Sequence, residues 1–295
     1  MSKKINISSW IEKSKLNPDK YILRQIIEIL MNAIGQTKFL KGNMFLKGGT
    51  LMALAHESQR MTGDVDFSWL EPFNKDAFLD IGEIIRESLD QSLSKTRVKL
   101  GYLDLKCKVQ SIEKQPSNWE RNPLSFPALK LKIGYAKVGT RQESLLESNS
   151  CAQVLIIDVS FNEEIMDHQE LVLDDNQTTV NAYTPIEIIA EKLRALIQQI
   201  SRGRNRRQDI YDINFLLEQF SFDEEEKKLI LNNMLAKARS RDINPDVNSL
   251  SDDRVKKASQ KEWQSMNLEL GQENQLPDFE ICYQRVESFY KSLPW

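Results

Sequence analysis

Cysteine and histidine are nearly missing from this chain. Only Cys107, Cys151 and Cys282 occur, far apart and with no CxxC pair, and His56 and His168 are the only histidines. That scarcity argues against a disulfide framework, a zinc site and histidine-based metal chemistry. Long apolar runs are missing too. No stretch approaches the length needed to cross a bilayer, and no apolar signal core follows the basic start Met1-Ser-Lys-Lys-Ile5. A cytoplasmic location is the default expectation. Positive charge is not in excess, since 40 Lys and Arg stand against 43 Asp and Glu, a formal net charge of −3. A chain so balanced is no general nucleic-acid coat, and a nucleic-acid partner would need a local basic patch. There is no internal repeat or low-complexity tract, and 295 residues suffice for one large domain or two ordinary ones.

The hydrophobic periodicity gives an order of elements. Residues 1–40 read as mostly helical, with Leu23, Ile26, Ile27, Leu30 and Ile34 on one stripe. A short strand is expected at 44–47, a helix from Thr50 to His56, and a second strand at 64–69. An amphipathic helix is expected over 76–93, with Phe78, Ile81, Ile84, Ile85 and Leu89 on its apolar side. Strand-like runs follow at 98–109, 126–138 and 154–161, with a short one at 180–183. Beyond Pro185 the pattern turns helical, at 185–200, 208–220, 223–240, 252–268 and 278–292, with a polar linker at 242–253. This segregation predicts an α+β fold: a catalytic core of mixed sheet and flanking helices over 1–183, then an all-helical C-terminal lobe over 184–295 that walls the cleft and completes the active site.

The chemistry concentrates between residues 45 and 67. A strand ends in Gly48-Gly49 and a helix starts at once. Glycine permits a tight turn and a close backbone approach, and the free N–H groups of a new helix suit a phosphate. Thr50 adds a hydroxyl there. In Asp64-Val65-Asp66 the two acids are i and i+2 on a strand, so both carboxylates project from one face. Such a pair repels itself unless a cation lies between, and magnesium takes oxygen ligands of this kind together with triphosphate oxygens. Asp158 lies in the otherwise apolar run Val154-Leu-Ile-Ile-Asp-Val159, where a metal shared with Asp64 and Asp66 would supply its partner. Each feature alone has a plain alternative: an ordinary turn, a solvated strand edge, a buried acid paired with a base. Their order on strand, turn, helix and strand favours a site.

These residues resemble a known family. Lys47-Gly-Gly-Thr-Leu51, then Arg60 and Asp64-Val-Asp-Phe67, are similar to the first motif of the AbiEii/AbiGii nucleotidyltransferase toxins. Thr184-Pro-Ile-Glu-Ile-Ile-Ala-Glu-Lys-Leu-Arg-Ala195 and Arg206-Arg-Gln-Asp-Ile-Tyr-Asp212 resemble the later motifs. The match spans residues 40 to 220, in the right order. The resemblance implies a polymerase-β-like fold and transfer of a nucleotidyl group from a nucleoside triphosphate with Mg2+ or Mn2+. It also implies a toxin or abortive-infection role in phage defence, a separate antitoxin, and, as in some members, tRNA as acceptor. Two features depart from the wider superfamily: Thr50 replaces the usual serine, and the gap from the glycines to Asp64 is longer.

The later motifs also bear a direct reading. On the helix from Pro185, Ile186, Ile189, Ala190, Leu193, Ile197 and Ile200 make the core-facing arc, with Lys192 at its margin. No acid on its own helix is placed to pair with Lys192, so its ammonium meets a triphosphate, snorkels to water or pairs with an acid on another element. The resemblance implies a catalytic lysine. Asp209 and Asp212 share a face; the resemblance assigns an active-site role to Asp209 and leaves Asp212 to a structural one, with Arg207 orienting one of them. The expected site is therefore Asp64, Asp66, Lys192 and Asp209 for catalysis, Asp64, Asp66 and Asp158 for metal, and Gly48, Gly49, Thr50 and Lys192 for nucleotide. The basic run Arg202, Arg204, Arg206 and Arg207 is the expected RNA grip. Lys130 and Lys132, like Lys106 and Lys108, sit at i and i+2, so each pair shares a strand face, as is ordinary for a solvated sheet. Two other readings stay open: a same-fold enzyme that nucleotidylates a protein side chain, and an inactive module that binds nucleotide or antitoxin.

Overall fold

Alternating apolar residues along several strands dictate a sheet with one buried face, and the computed structural model carries such a sheet of eight strands. It describes residues 2–60, 62–74, 78–117, 126–175, 177–270 and 275–295, with the side chains of Phe78 and Leu79 left out. The fold is α+β. The chain divides into two units: Met1–Ala55, Gly63–Glu163 and His168–Ala182 form the first, and His56–Thr62, Glu164–Asp167 and Tyr183–Trp295 the second.

The first unit opens with β1 (Ser2–Lys4), α1 (Ile7–Glu12), α2 (Pro18–Gln36) and α3 (Lys38–Asn43). Asn17 starts α2 by accepting the Lys20 N–H, and Pro18 fills the first turn, where no N–H is missed. Ile26, Ile27, Leu30 and Ile34 are buried as their spacing predicts, while Leu23 is only half-buried. Then come β2 (Met44–Lys47), α4 (Gly48–His56), β3 (Asp64–Trp69) and α5 (Phe78–Lys99). The predicted start of α5 at Asp76, and the side chain of Phe78, lie outside the described residues. The buried line of α5 is Ile85, Leu89 and Leu93, and Ile84, expected on the apolar side, is 43% exposed.

The sheet continues with β4 (Leu105–Gln115), β5 (Ala128–Lys137), β6 (Val154–Ser160), β7 (His168–Val172) and β8 (Thr179–Tyr183), and α6 (Arg141–Glu147) lies between β5 and β6 in the chain. The strand expected from Val98 begins at Leu105 because α5 runs on to Lys99, where Arg97 donates to the carbonyls of Tyr102 and Leu105. β1, β7 and α6 have no counterpart in the sequence reading. β1 is three residues long and exists through its parallel pairing with β7, a partner far along the chain that no local pattern encodes.

The strand order is β1-β7-β8-β2-β3-β6-β5-β4. β2 pairs antiparallel with β3 and parallel with β8, β3 pairs parallel with β6, and β5 lies antiparallel to both β6 and β4. Val65, Phe67, Trp69, Leu129, Leu131, Ile133, Leu155, Ile157 and Val159 fill the core face. The strand period of two therefore sends Asp64, Asp66, Asp158, Lys130 and Lys132 to the other face.

The second unit holds α7 (Pro185–Arg202), α8 (Arg207–Gln219), α9 (Glu224–Arg239), α10 (Asp253–Gln260), α11 (Asn267–Leu270) and α12 (Phe279–Lys291). Thr184 caps α7 by accepting the Glu187 N–H, Pro185 enters its first turn, and Gly203 ends it in the left-handed region at φ 58°. The core arc of α7 is rotated from the predicted one. Ile188, Lys192, Leu196 and Gln199 are buried with Ile189 and Leu193, whereas Ile186, Ile197 and Ile200 are only half-buried. The single helix expected at 252–268 is broken at Glu262, whose φ of 60° is incompatible with a continuing helix. The expected linker at 242–253 is anchored, since Tyr283 and Tyr290 each donate a hydroxyl to its backbone, at Leu250 and Asp246, both at 2.6 Å. Among the described residues no helix is long and apolar enough to cross a membrane.

Gly35 shows how tightly α2 meets the sheet. A Cβ there would lie 2.5 Å from Thr178 Cγ2 and 2.7 Å from the Thr179 carbonyl oxygen. Alanine normally gains helix propensity over glycine, about 1 kcal/mol, but here backbone blocks it. Gly35→Ala is expected to destabilise by about 1–3 kcal/mol, the cost of overpacking. A lowered urea midpoint checks this, and a raised midpoint would refute the packing argument.

Candidate active site

The pairing register builds the acidic site. Asp66 stands opposite Asp158 in the parallel β3–β6 pair, and Asp64 lies two residues before Asp66 on the same face. One carboxylate oxygen from each of Asp64, Asp66 and Asp158 lies within 4.8 Å of the others. Asp66 and Asp158 are half-buried. Burial pushes the Asp158 carboxyl above the ordinary carboxylate range; Lys130 lowers it, Asp64 raises it and Lys47 lowers it. Three all-oxygen donors so close, with like charges opposing one another, fit a hard divalent cation such as Mg2+ or Mn2+.

Gly48 stands against this cluster. Its φ is +70°, and a Cβ built on it would lie 2.1 Å from Asp66 Oδ2. Glycine is thus required twice, by the backbone conformation and by the approach of the carboxylate. Gly49 continues into the first turn of α4. Thr50 is fully buried and donates its hydroxyl to the Asp64 carbonyl at 2.8 Å. The hydroxyl predicted to face phosphate is therefore engaged in bracing β3 against α4.

A buried ion pair next to the acids escaped the sequence reading. Lys47, directly opposite Asp66 on β2, bonds to Glu163, and Ser68 donates to the same Glu163 carboxylate at 2.9 Å. Lys47 also reaches Ser160 at 3.5 Å. The signal in the sequence was Lys47 itself, a lysine in a buried strand; Glu163 lies 116 residues away and nothing local links the two.

In the second unit, Lys192 and Asp209 lie in one cluster. The Lys192 ammonium donates to Asp209 at 2.9 Å and to Asp212 at 2.7 Å, so its partners are acids of α8. Arg60 grips Asp212 with two bonds, at 3.2 and 3.0 Å, and reaches Glu269 at 3.3 Å. Burial lowers the Lys192 ammonium, but Asp209 and Asp212 hold it above its ordinary range. Burial raises Asp212, but Arg60 and Lys192 outweigh that and hold it below the ordinary carboxylate range. Arg207 orients neither aspartate: it pairs with Glu269 at 3.3 Å and Glu262 at 3.5 Å, while Arg206 is the arginine near Asp209, at 3.7 Å. That corrects the expected role of Arg207; at the start of α8 its long side chain spans to acids beyond α10. Of the four loop arginines, Arg202 and Arg204 are exposed and make no ion pair among the described residues.

The Lys192 ammonium lies between two buried acids, Asp209 and Asp212. Removing it leaves Asp209 with Arg206 alone, at 3.7 Å, and Asp212 with Arg60 alone; deleting one partner of a buried pair costs about 3–5 kcal/mol. Lys192→Ala is expected to lose stability on that scale. Urea unfolding followed by circular dichroism checks it, and a midpoint equal to wild type would show that the pair contributes nothing.

The comparisons with known proteins add to this geometry. No curated protein matches the chain. Two solved structures from Helicobacter pylori are similar to the chain. JHP933 is 13% identical with a TM-score of 0.44, over 91% of this chain and 88% of that one. A second protein, provisionally described as a nucleotidyltransferase, is 14% identical with a TM-score of 0.45, over 92% of this chain and 93% of that one. The model of the family described as "Nucleotidyl transferase AbiEii toxin, Type IV TA system" matches residues 30–285. The chain therefore belongs to the AbiEii nucleotidyl transferase toxin family.

Proposed function

We propose that the protein is a metal-dependent toxin that transfers a nucleotidyl group from a nucleoside triphosphate to RNA, with tRNA the acceptor. The observation that carries this reading is the convergence of Asp64, Asp66 and Asp158 within 4.8 Å beside the Gly48 turn. The three aspartates would hold Mg2+ or Mn2+, which would supply charge neutralisation at the α-phosphate of the transferring nucleotidyl group. The backbone N–H groups of Gly48, Gly49 and Thr50, at the start of α4, would take the triphosphate. Gly48 lets that backbone come close to the Asp66 carboxylate, and the acceptor hydroxyl would attack the α-phosphorus in line, its new P–O bond forming as the bond to pyrophosphate breaks. Positioning and electrostatics supply the rate.

The active-site roles of Lys192 and Asp209 rest on the motif resemblance. Within the cluster, Lys192 holds Asp209 and Asp212 at fixed distances. A separately encoded antitoxin, a cytoplasmic setting and abortive phage defence complete the reading.

Asp66→Ala is expected to cut nucleotidyl transfer by about 10²–10³-fold or more, the scale of losing one preorganised electrostatic group at a transition state. Stability should hold, because a like charge is removed from the triad. Labelled triphosphates with total cell RNA, and growth after induction, provide the readouts. Full growth inhibition by a well-expressed Asp66→Ala variant would sink the metal assignment.

Arg202 and Arg204 are the free cations of the loop, and we assign the RNA grip to them. Replacing both with Ser should flatten the salt dependence of RNA binding by about one unit of log–log slope per arginine. Triphosphate binding should stay unchanged. An unaltered slope and an unaltered rate on RNA would remove the loop from the interface and favour a protein acceptor.

A further inference from the structure

Six lysines stand on β4 and β5, and among them Lys106, Lys108 and Lys132 are engaged by named partners. Lys106 pairs with Glu143 at 2.6 Å and lies 3.7 Å from Glu147. Lys108 donates to the Glu147 carbonyl at 3.3 Å, and Lys132 donates to Glu113 at 2.7 Å. Lys130 differs. It is half-buried and makes neither hydrogen bond nor ion pair among the described residues. Its cross-strand neighbour Glu113 turns diagonally to Lys132. On its other side it stands directly opposite Asp158.

The register makes a single row across the sheet: Lys47, Asp66, Asp158, Lys130 and Glu113 on adjacent strands β2, β3, β6, β5 and β4. Directly opposed residues share a face and lie about 5 Å apart. Gly48 follows Lys47 and opens α4, so the phosphate-binding end of the row is at β2. In-line displacement puts leaving group and nucleophile on opposite sides of the reacting phosphorus. With pyrophosphate leaving toward β2 and the acids in the middle, the acceptor must enter from the β5 end, where Lys130 faces Asp158 across the strands without a hydrogen bond or ion pair among the described residues.

We propose that Lys130 binds a backbone phosphate of a nucleic-acid acceptor next to its reacting hydroxyl. This deepens the reading given above and rests on it. The ammonium would orient the acceptor and offset the repulsion between its phosphate and the aspartates. Lys47, at the opposite end of the row, cannot share this task because Glu163 neutralises it.

The test uses the full-length wild type, Lys130→Ala and Lys130→Arg with tRNA, labelled triphosphates and magnesium. RNA affinity is read separately by fluorescence anisotropy across a salt series, with calcium in place of magnesium. For Lys130→Ala we expect KM for tRNA to rise about tenfold, KM for triphosphate to stay within about twofold, and the salt slope to fall by about one; Lys130→Arg should restore most of this. A tRNA carrying one neutral methylphosphonate beside its 3′ end should lose the same factor with wild type and nothing further with Lys130→Ala. Raised KM for triphosphate alone would place Lys130 on the donor side and overturn the proposal. A raised magnesium requirement with unchanged tRNA affinity would make it only a counter-charge to Asp158, which also overturns it. If wild type labels protein and not RNA, the RNA reading and this proposal fall together. If wild type labels RNA and Lys130→Ala behaves identically, this proposal alone falls.

Discussion

Two aspartates held opposite each other by a parallel strand pair set the constraint on which the first unit depends. Asp66 and Asp158 are fixed by the β3–β6 register, and Asp64 adds a third negative charge on the same face. Such a cluster works against folding unless its surroundings supply positive charge. Lys47 and Lys130 flank it along the same row, and Lys47 is itself held by Glu163 and Ser160. The apolar opposite face allows the arrangement to persist: Val65, Phe67, Leu155, Ile157 and Val159 are fully buried, so a slip of one residue would turn that face to solvent. The register that secures the core also concentrates the acids.

The start of α4 and the start of β3 answer the same demand. Gly48 adopts a left-handed backbone and leaves room for Asp66 that no other residue would leave. Thr50 bonds to the Asp64 carbonyl and ties the start of the helix to the start of the strand. The helix N-terminus and the acids are therefore positioned by one another.

The second unit solves a different charge problem. Its buried acids Asp209, Asp212 and Glu187 are each matched by a buried base: Lys192 for the two aspartates, with Arg60 on Asp212, and Lys237 for Glu187 at 2.7 Å. Asn233 adds a bond to Glu187 at 2.9 Å. Networks of this kind add little stability over an apolar core, but they penalise any packing that separates the partners. Specificity of helix packing is the natural use of such a network, and α7, α8 and α9 share it.

Local pattern carried the elements that bury one face by period. The stripe of α2, the alternation of β3 and β6, the Pro185 entry to α7 and the pairing of Asp64 with Asp66 on one strand face were all legible, because each depends on residues within a few positions of one another. The spacing of Lys130 and Lys132 showed a shared face in the same way, but not that Lys132 would find Glu113 and leave Lys130 apart. Long-range choices were not legible. Which strand lies beside β3 is decided by sheet order; Asp158 was marked out by its lone carboxylate in an apolar run, but the β3–β6 pairing that brings it to the acids was not. Whether Lys192 meets water, phosphate or carboxylate is decided by α8 packing against its helix, and the rotation of α7 follows from those buried polar partners. The physical reason is common to all of them. Periodicity records which side of an element is apolar, whereas the partner of a charge is selected only when distant segments are brought together and each buried ion must find its opposite.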